Sequence, residues 1–233
     1  TLLSETTEGM HNLFRLSSLA SIEGYYFKPR MDRELLQKYS KGLIATTGCP
    51  SGEVQTRLRL GQYDAARAAA AEFQDIFGKE NYFAEIMDHG LSIERRVMSD
   101  LLSIAKDLKI PLVGTNDLHY THQHDAQSHA ALLCVQSGST LDDPKRFKFD
   151  GDGYYLKSAA EMKQVFRDHP EAIESTLLIA ERCDVEFNTS ANYMPRFPVP
   201  EGETEESWFI KEVERGLHER YPDGIPDEVR RQA

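Results

Sequence analysis

The sequence predicts an α/β fold, and three observations carry that expectation. Three short apolar runs read as buried strands: Gly42 to Thr47, Tyr82 to Met87 and Ile110 to Thr115. Segments with helical period separate them, which argues for parallel strands joined by right-handed crossovers, as in a barrel or an open α/β sheet. Reactive side chains stand just past the carboxyl end of each run: Cys49 after the first, Asp88 and His89 after the second, Asp117 and His119 after the third. Loops at the carboxyl ends of parallel strands converge on one crevice, so these groups are expected to be neighbours.

The individual elements follow from spacing. Tyr63, Ala66, Ala70, Phe73 and Phe77 step by three and four, and Gly78 stands where a C-terminal cap belongs. Ser92 is expected to cap a helix with the stripe Val97, Leu101, Ile104 and Leu108. After Tyr120 the pattern changes to consecutive helices. Asp125 is read as the cap of a helix through Leu132 and Val135, and the stretch from Leu141 to Tyr155 as an ordered loop. Ser158 and Glu161 form a capping box ahead of Met162, Val165 and Phe166. Pro170 suits a first helical turn, with Ile173, Leu177 and Ala180 as its buried stripe. Asn188 to Pro200 reads as extended linker, which places one domain at residues 1–190 and a linker with the start of another at 191–233. In the second part Thr204 begins a helix carrying Phe209, Val213 and Leu217.

Composition narrows the function. With 233 residues, 40% of them hydrophobic, the chain can core one domain and part of a second. No run of about 18 apolar residues exists, and the start lacks a basic region followed by a hydrophobic stretch, so neither membrane nor secretion is indicated. The absent initiator Met and the stop soon after a helix-like stretch are read as the ends of a piece cut from a longer chain. Three separated cysteines, Cys49, Cys134 and Cys183, make a disulfide framework improbable and fit a reducing cytoplasm. A net charge of −11 is the wrong sign for a protein that binds nucleic acid through its own cations. Either the chain does not touch nucleic acid, or it does so through metal ions and further domains.

The clearest chemistry lies in Thr115-Asn116-Asp117-Leu118-His119-Tyr120. Side chains two apart at a strand end point the same way, so a carboxylate oxygen of Asp117 and a ring nitrogen of His119 can reach one ion, at about 2.0–2.2 Å for Zn²⁺. A turn Asp beside a surface His fits the same residues. Cys49 stands in the turn Gly48-Cys49-Pro50-Ser51-Gly52-Glu53, open enough to serve as a thiolate ligand, although most lone cysteines are inert core residues. Cys134 and Cys183 keep the core reading. Asp88-His89-Gly90 fits ligation, a groove wall or a plain turn. His122, His124 and His129 make the following loop His-rich, and each ranks below His119. The cluster Lys145-Arg146-Phe147-Lys148 could meet phosphate, with a solvated charge cluster as the default.

These motifs, taken together and in order, resemble a known family. Gly42-Leu43-Ile44-Ala45 through the Cys49 turn, Glu85-Ile86-Met87-Asp88-His89-Gly90, Asn116-Asp117-Leu118-His119-Tyr120 and Leu132-Leu133-Cys134-Val135-Gln136-Ser137-Gly138 are similar to bacterial replicative polymerase III alpha subunits. So are Asn12-Leu13 ahead of Leu16-Ser17, and Pro195 to Pro200 ahead of the acidic Glu201-Gly202-Glu203-Thr204. The resemblance spans essentially the whole chain.

It implies a distorted (βα) barrel of the polymerase-and-histidinol-phosphatase (PHP) type, with its N-terminal part missing, followed by helices and the start of a palm domain. It implies a divalent metal cluster, Zn²⁺ or else Mn²⁺ or Mg²⁺, with Cys49, Asp117 and His119 as ligands and Asp117 and His119 as catalytic groups. The family's first His-x-His motif and other early ligands are absent from these 233 residues, so the isolated piece is expected to be inactive. The implied activity is a proofreading 3′–5′ exonuclease on a DNA primer end or single-stranded DNA, in which metals activate water and offset phosphate charge. Further implied partners, the sliding clamp and clamp loader, would be met outside this chain. No palm carboxylate pair is recognisable, so polymerase activity is not expected of these residues alone. Two alternatives stand beside this reading. One is a non-catalytic, metal-stabilised scaffold, against which the intact Cys49, Asp117 and His119 argue. The other is a small-molecule PHP phosphatase, against which the continuation from Pro195 to Ala233 argues.

Overall fold

In the computed structural model, which describes residues 1–233, the chain falls into two units, Thr1–Phe187 and Asn188–Ala233. The first unit runs β1 (Leu2–Ser4), α1 (Thr7–Ile22), α2 (Arg33–Lys38), β2 (Leu43–Thr46), α3 (Glu53–Arg59), α4 (Tyr63–Phe77), β3 (Tyr82–Ile86), α5 (Ser92–Leu108) and β4 (Leu112–Gly114). A 3-10 turn at Gln123–Asp125, α6 (Ala126–Ser137), α7 (Ala159–Val165) and α8 (Pro170–Arg182) complete it. The second unit carries α9 (Glu205–Arg220) and α10 (Asp227–Gln232).

The strands form one sheet in the order β1-β2-β3-β4. β1 pairs antiparallel with β2, placing Leu3 opposite Ile44, while β2, β3 and β4 are mutually parallel. The α/β class and the three parallel strands are as the apolar runs predict. The sheet is open rather than closed into a barrel, because four strands are too few to wrap around a filled interior.

Both faces of the sheet are covered, which is why its parallel strands read as mainly apolar runs. Leu43, Ala45, Tyr82, Ala84 and Ile86 point to one side and pack with Val54, Ala66, Ala70, Val97, Leu101 and Ile104 from α3, α4 and α5. Ile44, Phe83 and Val113 point to the other, where Ile179 of α8 covers them beside Cys183. A fully buried side chain such as Ile104 contributes about 1.5–3 kcal/mol through this burial.

Close backbone approach brings α1 onto the sheet. A Cβ on Gly9 would sit 1.7 Å from the carbonyl oxygen of Gly42, and Gly42 itself has φ +71°. Thr6 caps α1 by accepting from the Gly9 amide at 3.1 Å. The far end of the unit returns to the same place: Arg182 pairs with Glu5 at 2.8 Å and donates to the Glu80 carbonyl at 2.7 Å. The amide of Asp184 donates to the Glu5 carbonyl at 2.8 Å, and that of Glu186 to Thr7 Oγ1 at 3.0 Å.

Several helix details differ from expectation. Ser92 is the first residue of α5 and makes no side-chain cap; Leu91 holds the cap position, and Glu94 satisfies amides ahead of the helix instead. Asp125 stands at the cap position of α6 without bonding its amides, since its carboxylate accepts from the amide of His122 at 2.8 Å. The α6 stripe is inverted: Leu132 and Val135 are exposed and Cys134 is buried. On α8 the inward residues are Ala172, Ile173, Thr176 and Ile179, with Leu177 and Ala180 outside. The Ser158–Glu161 capping box and Pro170 at the first turn of α8 form as read. In the second unit Thr204 caps α9, and Arg230 of α10 meets Glu214 of α9 at 2.8 Å. No helix is long and apolar enough to cross a membrane.

Candidate metal centre

The carboxyl ends of β2, β3 and β4 are tied together by hydroxyls and one buried carboxylate. Glu85 on β3 accepts from Thr46 on β2 and from Thr115 beyond β4, the latter at 2.6 Å. Thr47 Oγ1 in turn accepts from the Glu85 amide and from Gln55 Nε2, each at 2.9 Å. These bonds set the level at which three loops leave the sheet.

The first loop is the Cys49 turn. Gly48 has φ +80°, and a Cβ on Gly52 would meet the Thr47 carbonyl oxygen at 2.5 Å, so both glycines are required by the turn. Gln55 Nε2 pins it by donating to the Gly48 carbonyl at 2.8 Å. Cys49 is half-buried, with Sγ 2.9 Å from Ser51 Oγ. Glu53, at the start of α3, is engaged by Arg57 at 2.8 Å and Arg33 at 2.9 Å. Burial works against its charge, but the two guanidiniums outweigh it and hold the carboxyl below the usual range.

The second loop settles the open reading of Asp88-His89-Gly90. Asp88 Oδ1 accepts from the Gly90 amide at 2.8 Å, which is a turn. The His89 side chain is 1% exposed and both ring nitrogens are engaged. Nδ1 lies 2.7 Å from Glu94 Oε1, and Nε2 donates to the Asn116 carbonyl at 2.7 Å. Burial opposes a charged ring here, yet Glu94 and the Asn116 carbonyl prevail and raise its pKa. Glu94 is the counterpart: burial is outweighed by the His89 ring and amide, and its pKa is lowered. His89 and Glu94 therefore form a buried hydrogen-bonded pair in which both ring nitrogens of His89 are engaged.

The third loop carries the expected pair. Asp117 has φ +45°, a left-handed conformation that Asp tolerates better than most residues. His119 Nδ1 donates to the Asp117 carbonyl at 2.7 Å, which leaves Nε2 as the ring's free acceptor. The two side chains are 31% and 36% exposed, with Asp117 Oδ1 4.0 Å from His119 Nδ1. His119 rests against Phe149, ring centroids 4.5 Å apart, and His129, at 5.4 Å. Desolvation, followed by the neighbouring His119, lowers the pKa of His129. His122 and His124 stack on one another in the exposed part of the loop.

Asp117 and His119 thus come together, while Cys49 has Ser51 as its polar neighbour. No group of three or more His, Cys, Asp and Glu side chains gathers closely enough to enclose an ion. The donor chemistry nonetheless fits a divalent metal: a half-exposed carboxylate and an imidazole whose Nδ1–H is held by a carbonyl, the arrangement that frees and orients Nε2 for ligation. Cys134 is buried in α6, and Cys183 is half-buried against the α8 face of the sheet. What the sequence reading lacked was the role of His89; its signal was Glu94, five residues on, in the first turn of the helix that follows.

A mixed α/β sheet with ligand-type side chains at its strand ends defines a class, and the model of the PHP domain family matches residues 1–89. Asp117 and His119 lie beyond the matched span. Along its whole length the chain is 56% identical to DNA polymerase III subunit alpha of Mycobacterium tuberculosis, covering 20% of that protein. The identity is 56% to the Saccharopolyspora erythraea subunit, over 98% of this chain and 19% of the relative. It is 39% to that of Thermus aquaticus, over 97% of this chain and 19% of the relative. The chain is similar over its whole length to DNA polymerase III alpha subunits, and it spans about a fifth of the length of these relatives.

Proposed function

We propose that this chain is the PHP region of a replicative DNA polymerase, and that Asp117 and His119 hold a divalent metal for 3′–5′ exonucleolytic proofreading. The observation that carries the reading is the His119 ring, whose Nδ1 is held by the Asp117 carbonyl at 2.7 Å and lies 4.0 Å from the Asp117 carboxylate, which leaves Nε2 free. When bound, such a metal supplies positive charge to the scissile phosphate and the leaving oxygen. The chain supplies the setting. Glu85 and Thr115 hold the strand end, Asp117 and His119 offer oxygen and nitrogen donors, and Phe149 walls one side of the imidazole. Cys49 is the third proposed ligand, on the turn that leaves β2, with β3 between that strand and β4 in the sheet. The metal also answers the charge problem, since a chain of net charge −11 needs a cation to approach DNA.

The stretch following Asn188 is proposed to begin the palm, and contacts with the sliding clamp and clamp loader are proposed to lie outside these residues. A cytoplasmic setting accords with three free thiols. A second reading, a non-catalytic scaffold, draws on the absence of a three-ligand cluster.

The deciding experiment is Asp117→Asn in the full-length polymerase subunit. Asn tolerates the left-handed backbone at this position and ligates poorly, so folding is expected to be unchanged. Bound metal and excision of 3′-terminal nucleotides from single-stranded DNA are expected to fall together by about 100-fold or more, with the polymerase rate retained. Full metal content and full excision in the variant would refute the site. Equal loss of excision, polymerisation and thermal stability would favour the scaffold.

A further inference from the structure

The buried pair formed by His89 and Glu94 lies directly beneath the backbone that carries Asp117 and His119. Glu94 reaches back from the first turn of α5, accepting from the His89 amide at 2.7 Å with one oxygen and facing the ring with the other. The His89 ring is stacked on Tyr154, centroids 4.2 Å apart and planes 15° from parallel. Its Nε2–H ends on the carbonyl of Asn116, the residue immediately before Asp117. Tyr154 takes up the other end of the loop, its carbonyl accepting from the His119 amide at 2.9 Å.

Asn116 is fixed by its side chain as well. Its amide donates to the Tyr155 carbonyl at 2.5 Å, and its Oδ1 accepts from Lys157 Nζ at 2.8 Å. The segment is thus gripped on both sides of Asp117, the residue with positive φ. A non-glycine residue in that region is disfavoured, and it persists where its surroundings over-determine it. With the Asn116 peptide plane held by His89 and the His119 amide held by Tyr154, little freedom remains for the intervening backbone. That backbone decides whether the Asp117 carbonyl meets His119 Nδ1, and so which way the imidazole faces.

We infer that His89, anchored by Glu94, is a positioning residue that holds Asp117 and His119 in their ligand-presenting conformation, without touching metal or substrate itself. The inference rests on the metal site proposed above. It assigns the buried pair a task that stability alone does not demand, since an apolar pair of equal volume packs at least as well.

The test uses His89→Phe, which keeps the stack on Tyr154 and removes both ring hydrogen bonds, in the full-length subunit. A second variant, His89→Phe with Glu94→Gln, avoids leaving a buried charge unpaired. Two quantities are read, with Asp117→Asn as control: hydrogen exchange of the segment spanning residues 116–121 in metal-free protein, and Mn²⁺ affinity by calorimetry. In whichever variant unfolds cooperatively, exchange is expected to quicken by about 10-fold or more in that segment while β3 stays protected. Mn²⁺ affinity is expected to fall by about 10–100-fold, as for lost support of a metal ligand. Unchanged exchange together with unchanged Mn²⁺ affinity, while Asp117→Asn loses the metal, would overturn the positioning role and leave the metal site standing. Should Asp117→Asn also keep its Mn²⁺ affinity, the metal reading falls and exchange alone decides: quicker supports positioning, unchanged overturns it. Failure of both variants to fold would overturn it too, by showing the pair to be a general requirement of the core.

Discussion

Glu85 accepts a hydrogen bond from Thr115 at 2.6 Å and so joins β3 to the loop that leads into Asp117. The carboxylate is buried, and its other oxygen serves Thr46 on the opposite neighbouring strand. Replacing it by Leu strands two hydroxyls without acceptors, and each such group costs about 1–3 kcal/mol. Glu85→Leu is expected to lower the unfolding free energy by about 2–4 kcal/mol, whereas Glu85→Gln, which can still bond both threonines, is expected to cost less than half of that. Urea titration of the two variants side by side checks the order.

The contact between Gly9 and Gly42 predicts the most severe single substitution in the first unit. A methyl group on Gly9 would overlap a backbone oxygen at 1.7 Å, and neither α1 nor the start of β2 has a flexible side chain to move aside. Gly9→Ala is expected to destabilise by more than about 3 kcal/mol, beyond the usual range for overpacking. Gly216→Ala on α9, where nothing lies within 4 Å, is expected to stabilise slightly by removing backbone freedom from the unfolded chain. Thermal melts of the pair give the contrast directly.

The His89–Glu94 pair predicts a bounded pH window. His89 has a raised pKa, so its contribution is complete below the ordinary value of 6.5 and is lost as pH rises through the folded value. Glu94 has a lowered pKa, so its contribution is complete above 4.5 and is lost as pH falls through the folded value. The stability difference between the unmodified protein and His89→Phe/Glu94→Gln is therefore expected to be largest between about pH 4.5 and 6.5 and to shrink on either side. Denaturant unfolding with chelator present, repeated across pH 4 to about 9, measures it.

Much of the sheet is legible in the sequence, because strands buried on both faces are apolar at nearly every position, Glu85 of β3 being the charged exception. β2, β3 and β4 show this, and α4 announced itself through its regular stripe and Gly78. β1 escaped notice because three residues carry no period, α2 because none of its residues is buried, and α1 because its buried face includes Gly9 and Asn12 and so breaks the apolar stripe. α6 misled for the opposite reason: Ala130 to Val135 is apolar all the way round, so no face is marked, and the outward placement of Leu132 and Val135 had no local signal. Of the site, Asp117 and His119 were legible as a short motif at a strand end. The burial of His89 was not, since it depends on Glu94 turning back across the start of α5 and on Tyr154 arriving from about 65 residues downstream. Side-chain partners that distant in sequence leave no periodic trace.

The bonds from Glu5 and Thr7 to Arg182, Asp184 and Glu186 set a timetable for synthesis. β1 is synthesised before its partners, and the groups that secure the turn after it leave the ribosome some 180 residues later. At about 5–20 residues per second, that is a wait of roughly ten to forty seconds. Throughout that interval Glu5 and Thr7 lack the partners that fix them in the folded unit, the kind of exposure that chaperones exist to mask. Truncation before Arg182 would make the wait permanent, so products ending there are expected in the insoluble fraction of the cell while those reaching Phe187 are not.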